Sequence, residues 1–390
     1  MQKIKYTKIY SILLFLTIWV YFSLNARYLD FPGTHLLRWI FPAFLIILAI
    51  IKSNGKITVP PMLFWVFSIA VLPSIILTAY KTLAFMKYMS WIFILYGCYI
   101  FFVSLEGQNY LEYYFKILVV VLIIYQVLNL LFIITGQNYD TGRARGITTN
   151  ANTLGVYANL AYWAVVYMLG KDKGQLKKLF WFLLLLTTVI ASIASGSRTA
   201  FVVLILNILI TIIICFRKSP FFFLYIGLAV LAVYLVLSGK FVSLNITALN
   251  RLLEEGGTSR DQLWDAAISV WKEHQIFGVG YTVSNYYNPV EPGMAFHNSY
   301  ISFLVECGLW GMITLVLGFV PYIKNIIKTM IIHINNDISR EYCFVVIMLL
   351  NLAIAAWSES FMFAVGSTEG FAFWFLVAWI LAYLKLLCRE

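Results

Sequence analysis

About a dozen long apolar segments run through this 390-residue chain, and they restrict its fold more than any other feature. A helix needs roughly 20 mainly apolar residues to cross the hydrocarbon core of a bilayer, because it rises about 1.5 Å per residue. Hydrophobic residues make up 62% of the chain and charged residues 12%. A soluble domain of this length could not bury so much apolar surface. The sequence therefore predicts an all-α, polytopic membrane protein of about twelve transmembrane helices.

Residues 1–390 are predicted to form a single integral membrane domain, because most connections between the apolar segments are short. The segment 25–27 is a poor signal-peptidase site, so the first apolar segment is expected to remain as the first helix. The predicted spans lie at about 9–25, 36–51, 61–80, 83–105, 114–135, 152–169, 179–195, 198–216, 220–238, 299–323, 342–359 and 371–388.

The basic residues predict the orientation of these spans. The net charge of +11 is dispersed between the apolar segments, so it indicates membrane topology rather than nucleic-acid binding. More Lys and Arg fall on the side that carries both termini than on the other side, which predicts cytoplasmic termini. The opposite, extracytoplasmic side is rich in arginine, whose planar guanidinium suits phosphate or carboxylate. Its arginines are Arg27, Arg38, Arg143, Arg145, Arg198, Arg251 and Arg260.

One long polar segment, 239–298, interrupts the apolar pattern and is predicted to be a large extracytoplasmic loop. Within it, Thr258 and Ser259 are candidate N-cap residues for a helix over 261–275. Leu263, Trp264 and Trp271 recur there with helical spacing, which predicts an amphipathic helix. Such a helix would lie on the outer membrane interface or cap the helical bundle.

Three predicted helices begin on the extracytoplasmic face, and a helix N-terminus is a favourable place for an anion. Arg143 and Arg145 precede the first of these starts, Arg198 stands at the second, and His297 stands at the third. A neutral histidine at such a position can accept a proton near neutral pH. The alternatives are that His297 only caps its helix and that Arg198 only anchors its helix at the interface.

Other reactive groups are sparse. No cluster of His, Cys, Asp and Glu has the spacing of a metal site, so no metal and no cofactor are predicted. Few ionisable residues fall within the spans, namely Arg38, Lys87, Glu306 and Glu359, and this scarcity disfavours an ion-coupled transporter. Glu306 lies nine residues beyond His297, about 13 Å along a helix, so it is expected to make a structural contact rather than to orient the histidine.

Six short segments, in this order and on the same predicted face, resemble the signature of the O-antigen ligase and O-antigen polymerase superfamily. The resemblance is good over about 140–320 and rests on the number of helices elsewhere. The segments are Arg145-Gly146-Ile147-Thr148, Ser195-Gly196-Ser197-Arg198-Thr199, Arg260 with Trp264, Ile276-Phe277-Gly278-Val279-Gly280, His297-Asn298-Ser299-Tyr300 and Glu306-Cys307-Gly308-Leu309-Trp310-Gly311.

The resemblance implies an enzyme that transfers a glycan from undecaprenyl diphosphate to a hydroxyl group without metal or nucleotide. It assigns the catalytic base to His297 and the diphosphate-binding positions to Arg198 and Arg260. Arg143, Arg145 and Asn298 are further substrate-binding candidates. It also implies a bacterial inner-membrane location, with a chain-length regulator and a flippase as possible partners beside the lipid bilayer and the lipid-linked oligosaccharide.

Three functions follow as hypotheses. The first is a polymerase of O-antigen or capsular repeat units, favoured because the acidic and basic residues of the large loop nearly balance, whereas a phosphorylated acceptor favours a basic loop. The alternative is a ligase that passes the glycan to lipid A core or another acceptor. The third is a carrier for lipid-linked sugars, disfavoured because the sequence lacks matching pairs of broken helices.

Overall fold

The computed structural model describes residues 2–55, 58–104, 108–216, 259–336, 340–364 and 366–387, with the isolated positions 224 and 227. Within them the chain forms twelve α-helices, one short 3-10 helix at Ser284–Tyr287 and a two-stranded hairpin of β1 (Tyr139–Asp140) and β2 (Arg143–Ala144). The helices are α1 (Gln2–Ser23), α2 (Pro32–Lys52), α3 (Met62–Leu77), α4 (Lys81–Val103), α5 (Gln108–Ile134), α6 (Ala151–Lys171), α7 (Gln175–Ala194), α8 (Arg198–Phe216), α9 (Ser259–Glu273), α10 (Ser299–Asn336), α11 (Arg340–Ala355) and α12 (Thr368–Leu387).

Each predicted span coincides with one of these helices, except the span at 220–238, which lies outside the described residues. Six helices are long and apolar enough to cross a membrane by length and composition, namely α2, α4, α5, α7, α10 and α12. α3 and the apolar parts of α1, α8 and α11 are shorter. The architecture is therefore that of an all-α membrane protein, and the total of twelve spans stays a prediction.

α7 illustrates why lipid is the expected solvent for these helices. The side chains of Leu176, Leu179, Leu183, Leu186 and Ile190 are all exposed along one face, and Leu176 keeps 84% of its surface. Residues spaced by three or four share one face of a helix. A continuous apolar face of this size is costly in water and is satisfied by hydrocarbon chains.

The described residues divide into two compact units. The first comprises 1–24, 29–118 and 257–390, and the second comprises 25–28 and 119–256. The first unit is built around α12, which is buried along most of its length and packs against α1, α4 and α11. An aromatic cluster joins these helices to α3: the ring centroids of Phe67 and Trp91 are 4.0 Å apart, and that of Trp374 is 5.3 Å from Phe67.

A break in α10 is the main irregularity of the first unit. Gly308 has φ +63° inside the helix, a conformation that L residues rarely adopt. The segment 275–280 fills the break with four backbone hydrogen bonds: the amides of Val279 and Gly280 donate to Val305 and Glu306, and those of Leu309 and Trp310 donate to Gln275 and Ile276. Two of the six resembling segments therefore pair with each other, and this pairing explains their glycines.

The second unit packs α6 against α7 and α8. Almost every residue from Ala151 to Tyr167 is buried, so α6 is surrounded by protein and tolerates polar groups. The Nδ2 group of Asn207 donates to Asn159 Oδ1 (3.0 Å), and Asn207 Oδ1 accepts from the indole of Trp163 (2.8 Å). This buried network satisfies polar groups that would otherwise destabilise the helix packing.

Candidate functional site

The N-terminus of α10 presents the predicted base. Asn298 caps this helix, since its Oδ1 accepts hydrogen bonds from the amides of Tyr300 (2.9 Å) and Ile301 (3.0 Å). Asn is among the best N-cap residues because its side chain satisfies otherwise unpaired amides. His297 precedes the cap with φ +51°, which is uncommon for a residue other than glycine. Asn298 therefore caps α10 in place of His297, and the imidazole of His297 is not used for capping.

The turn after α11 is tied to the start of α10. The Ser299 amide donates to Ala356 O at 2.8 Å, and its hydroxyl donates to Glu359 O at 2.6 Å. The same hydroxyl accepts from the amides of Phe361 and Met362. These contacts hold Glu359 beside His297, although the two residues are 62 positions apart.

Arg260, Glu359 and His297 form a chain of polar contacts, here named the His297 site. One terminal nitrogen of the Arg260 guanidinium donates to Glu359 Oε1 at 2.9 Å. The other carboxylate oxygen, Oε2, lies 3.2 Å from His297 Nδ1. The side chains of Arg260 and His297 are each 29% exposed, and that of Glu359 is 18% exposed. The site is thus partly desolvated but open to a substrate.

The carboxylate of Glu359 selects the tautomer of His297. A carboxylate only accepts hydrogen bonds, so Nδ1 must carry the proton in this contact. In a neutral imidazole Nε2 then holds the lone pair. Nε2 has no hydrogen-bond partner among the described residues. The site can therefore accept a proton at Nε2 and stabilise the resulting imidazolium, as an oriented histidine does in acyl transfer.

α9 brings Arg260 to this site. The helix lies where the sequence predicts it, beginning at Ser259, and Arg260 is its second residue. Leu263 and Ala267 are buried, and Trp264 donates from its indole to Phe296 O at 3.1 Å. Its apolar face therefore packs against other residues of the first unit, as the capping role predicts, and a position at the outer membrane interface stays a prediction. The unfavourable cation at its first turn is offset by the ion pair with Glu359.

Three other candidates, Arg143, Arg145 and Arg198, lie in the second unit. The Arg143 guanidinium donates to Ser195 O at 2.9 Å and to Asn152 Oδ1 at 2.5 Å. Its side chain covers Gly196, whose missing Cβ would lie 2.9 Å from Arg143 Cγ. Arg143 thus fastens the hairpin to the turn before Arg198, which is the first residue of α8. These contacts indicate a structural role for Arg143.

Arg145 is placed differently from Arg143. It forms an ion pair with Asp140 of β1, and its side chain is 32% exposed. Exposed pairs of this kind contribute little to stability, so the guanidinium can exchange its partner for a ligand at small cost.

Glu359 is the functional candidate that the sequence did not reveal. It was predicted to end the eleventh span, but α11 ends at Ala355 and Glu359 lies in the turn beyond it. The available signal was an ionisable residue at the end of a predicted span. Glu306, in contrast, makes the structural contact expected of it: its Oε1 accepts from the hydroxyl of Ser284 at 2.6 Å.

The fold and this site define a class of protein: an all-α membrane protein with an oriented histidine at a helix start. Residues 181–316 match the family model described as O-antigen ligase, which confirms the resemblance to the O-antigen ligase and polymerase superfamily. The matched region contains Arg198, Arg260 and His297, whereas Glu359 lies beyond it. No curated protein matches the chain.

Proposed function

We propose that this protein polymerises lipid-linked O-antigen or capsular repeat units on the extracytoplasmic face of the membrane. The donor is an undecaprenyl-diphosphate-linked oligosaccharide and the acceptor is a sugar hydroxyl, with no metal or nucleotide. The observation that carries the proposal is the Glu359–His297 Nδ1 contact, which prepares Nε2 as a base. The match of 181–316 to the O-antigen ligase family supports the reaction class.

In the proposed reaction His297 Nε2 takes the proton of the acceptor hydroxyl as its oxygen attacks the anomeric carbon of the donor sugar. The new glycosidic bond forms while the bond from that carbon to the diphosphate oxygen breaks, which inverts the anomeric centre. Undecaprenyl diphosphate leaves with the electron pair, and the proton resides on His297. Glu359 stabilises the imidazolium until the proton is released to water.

Negative charge grows on the diphosphate as the donor bond breaks, and positioned guanidinium groups stabilise such charge. Arg260 has five N–H donors, so its bond to Glu359 leaves others for phosphate oxygens. The resemblance assigns the same role to Arg198, and Arg145 and Asn298 are retained as substrate-binding candidates. Arg143 was a further candidate, but its contacts with Ser195 and Asn152 favour a structural role. Removal of one such donor typically lowers the rate by about 10²- to 10³-fold.

The alternative is a ligase that passes the glycan to lipid A core or another acceptor, and it is favoured by the description of the matched family. The same base and arginines serve either reaction, because only the acceptor differs. The carrier hypothesis is weaker since binding alone needs no oriented histidine. A broken helix, α10, does exist, but its gap is filled by the segment 275–280.

The proposal includes twelve spans, cytoplasmic termini, an extracytoplasmic loop at 239–298 and a bacterial inner-membrane location. A chain-length regulator and a flippase are the proposed partners. Single cysteines at Lys173 and Glu291, both exposed, test the topology in a cysteine-free background. A membrane-impermeant maleimide applied to intact spheroplasts should label Glu291→Cys and not Lys173→Cys, and the reverse pattern would overturn the orientation.

The activity test uses purified protein in liposomes with an undecaprenyl-diphosphate-linked repeat unit, and product length is followed by mass spectrometry. Wild type should give a ladder of longer glycans, and His297→Ala should give none. His274→Ala is the matched control, because His274 is exposed just beyond α9 and, among the described residues, its imidazole makes a hydrogen bond only with Val270 O.

The outcomes separate the hypotheses. A ladder that His297→Ala abolishes and His274→Ala retains supports polymerisation. Consumption of donor only after lipid A core or another acceptor is added identifies a ligase. Donor binding without turnover under either condition identifies a carrier and refutes the enzyme.

A further inference from the structure

A cavity of about 170 Å³ with polar and apolar lining residues lies in the first unit beside the start of α10. It is bounded by α4, by the segment around the 3-10 helix, by α10 and by the turn after α11. We call it the Lys87–Glu306 cavity after its two charged lining residues. Its remaining polar lining includes Thr282, Ser284, Ser302 and Ser360.

The cavity adjoins the His297 site. Ser299 lines it and is two residues from His297, so their Cα atoms are at most about 7.6 Å apart. Ser360 also lines it and directly follows Glu359. The hydroxyls of Ser302 and Ser360 are 2.9 Å apart, which joins α10 to the turn that carries Glu359. The cavity and the His297 site therefore share two elements, the start of α10 and the turn after α11.

The lining suits a neutral, hydroxyl-rich ligand. Hydroxyl groups both donate and accept hydrogen bonds, as do the hydroxyls of a sugar. Lys87 and Glu306 have opposite formal charges, so the lining does not present a cluster of like charges to an ionic ligand. Phe363 adds an apolar wall, and the Tyr281 hydroxyl holds its backbone through a 3.1 Å bond to Phe363 O. Burial raises the pKa of Tyr281 well above its usual value, which keeps this donor protonated.

Thr282 supplies an independent observation. Its side chain is 6% exposed, and its Oγ1 has no hydrogen-bond partner among the described residues. A buried hydroxyl without a partner is unfavourable. Its backbone has φ +53°, which is strained for a β-branched residue, and its carbonyl accepts from Lys87 Nζ at 2.9 Å. A strained residue with an unsatisfied hydroxyl in a polar cavity is typical of a ligand site.

The volume limits the size of the ligand. About 170 Å³ corresponds to roughly five or six water molecules at their share of liquid volume. One pyranose ring with its hydroxyls fits such a space. Because the pocket is partly open, the neighbouring residues of a longer glycan would lie outside it.

We propose that the Lys87–Glu306 cavity binds one uncharged sugar residue of the acceptor glycan, the residue whose hydroxyl is presented to His297. This inference rests on the proposed function for the identity of the acceptor. The binding of an uncharged sugar is independent of that function and can be measured without turnover.

The test is saturation-transfer NMR with wild-type protein in nanodiscs. The probes are methyl glycosides of glucose, galactose, mannose, rhamnose and N-acetylglucosamine, together with the acidic methyl glucuronide. At least one neutral glycoside should bind more tightly than the glucuronide. Thr282→Val, which removes only the unsatisfied hydroxyl, should weaken that binding by about 3- to 10-fold, the value of one net hydrogen bond. Ser302→Val, which also narrows the cavity, should weaken it at least as much.

Thr17→Val is the matched control. Thr17 is also buried, in α1, and among the described residues its hydroxyl donates only to Leu13 O of its own helix. It should leave glycoside binding unchanged. The thermal stability of Thr282→Val should equal or exceed that of wild type, because no protein hydrogen bond is lost. Weakened binding in either cavity variant, with Thr17→Val unchanged, supports the proposal.

Three results would overturn it: no neutral glycoside binds wild type, both cavity variants bind as wild type does, or the glucuronide binds as tightly as the neutral probes. His297→Ala separates this inference from the proposed function. It should lose glycan transfer and keep glycoside binding. If His297→Ala loses transfer but no glycoside binds even to wild type, the proposed enzyme stands and the cavity proposal fails. If wild type binds a glycoside but transfers no glycan, the cavity proposal stands and the proposed function fails.

Discussion

Glu359→Gln is the substitution that tests the His297 site most directly. Glutamine keeps the shape of the side chain but removes the charge that contacts both Arg260 and His297. It also offers an amide that can donate toward Nδ1, which favours the unproductive tautomer. The reaction should slow because the imidazolium that forms during proton transfer loses its counter-charge.

The expected loss follows from the geometry. Two unit charges about 4 Å apart attract by about 4 kcal/mol at an effective dielectric constant of about 20. The side chains of His297 and Glu359 are 29% and 18% exposed, so solvent screens part of this attraction. An attraction of about 2 to 3 kcal/mol remains. At about 1.4 kcal/mol for each factor of ten, kcat should fall by about 30- to 150-fold.

The assay is the initial rate of glycan extension in liposomes at saturating donor, with Glu273→Gln as the control. Glu273 ends α9 and is exposed, so its variant should keep the wild-type rate. Glu359→Asp, which retains the charge on a shorter side chain, should recover part of the loss. If Glu359→Gln is folded and turns over within threefold of wild type, the contact is structural and the argument for an oriented base fails.

Four further substitutions test the scaffold and the arginines of the second unit. Gly308→Ala would place a Cβ 2.2 Å from Ile276 O at φ +63°, so the free energy of unfolding, measured by thermal denaturation, should fall by more than about 2 kcal/mol. Gly170→Ala is the control and should be near neutral, because the space around Gly170 is open. Asn207→Ala should cost about 1 to 3 kcal/mol in the same assay because it leaves buried polar partners unpaired; an unchanged melting temperature would contradict the network. Arg143→Ala should lower the free energy of unfolding by a similar amount. Arg145→Ala should leave it within about 1 kcal/mol of wild type and raise KM for the donor. Equal effects of the two substitutions would refute the different roles of these arginines.

Much of the fold could be predicted from the sequence because lipid imposes a simple rule. A segment that crosses a bilayer must satisfy its backbone internally and expose apolar side chains, so it forms a long apolar helix. Eleven of the twelve described α-helices coincide with predicted spans for this reason. The amphipathic helix α9 was also predictable, since the spacing of Leu263, Trp264 and Ala267 identifies one face.

Part of the candidate site was predictable as well. His297, Arg260 and Asn298 stand at helix starts, where capping and dipole effects act over one turn and can be read locally. The pairing of 275–280 with the break at Gly308 was not, because it joins segments about 30 residues apart through backbone groups whose residue types do not encode a partner.

The class of the molecule and the residues at helix starts follow from the amino-acid sequence, because both depend on local composition and spacing. The pairing of Glu359 with His297 is visible only in the folded chain, since Ser299 holds the turn after α11 against a residue 62 positions away. The same is true of the contacts by which Arg143 fastens a hairpin and of the cavity that Lys87 and Glu306 share. Contacts between distant segments depend on how helices pack, and hydrophobic periodicity carries no information about which polar side chains will meet.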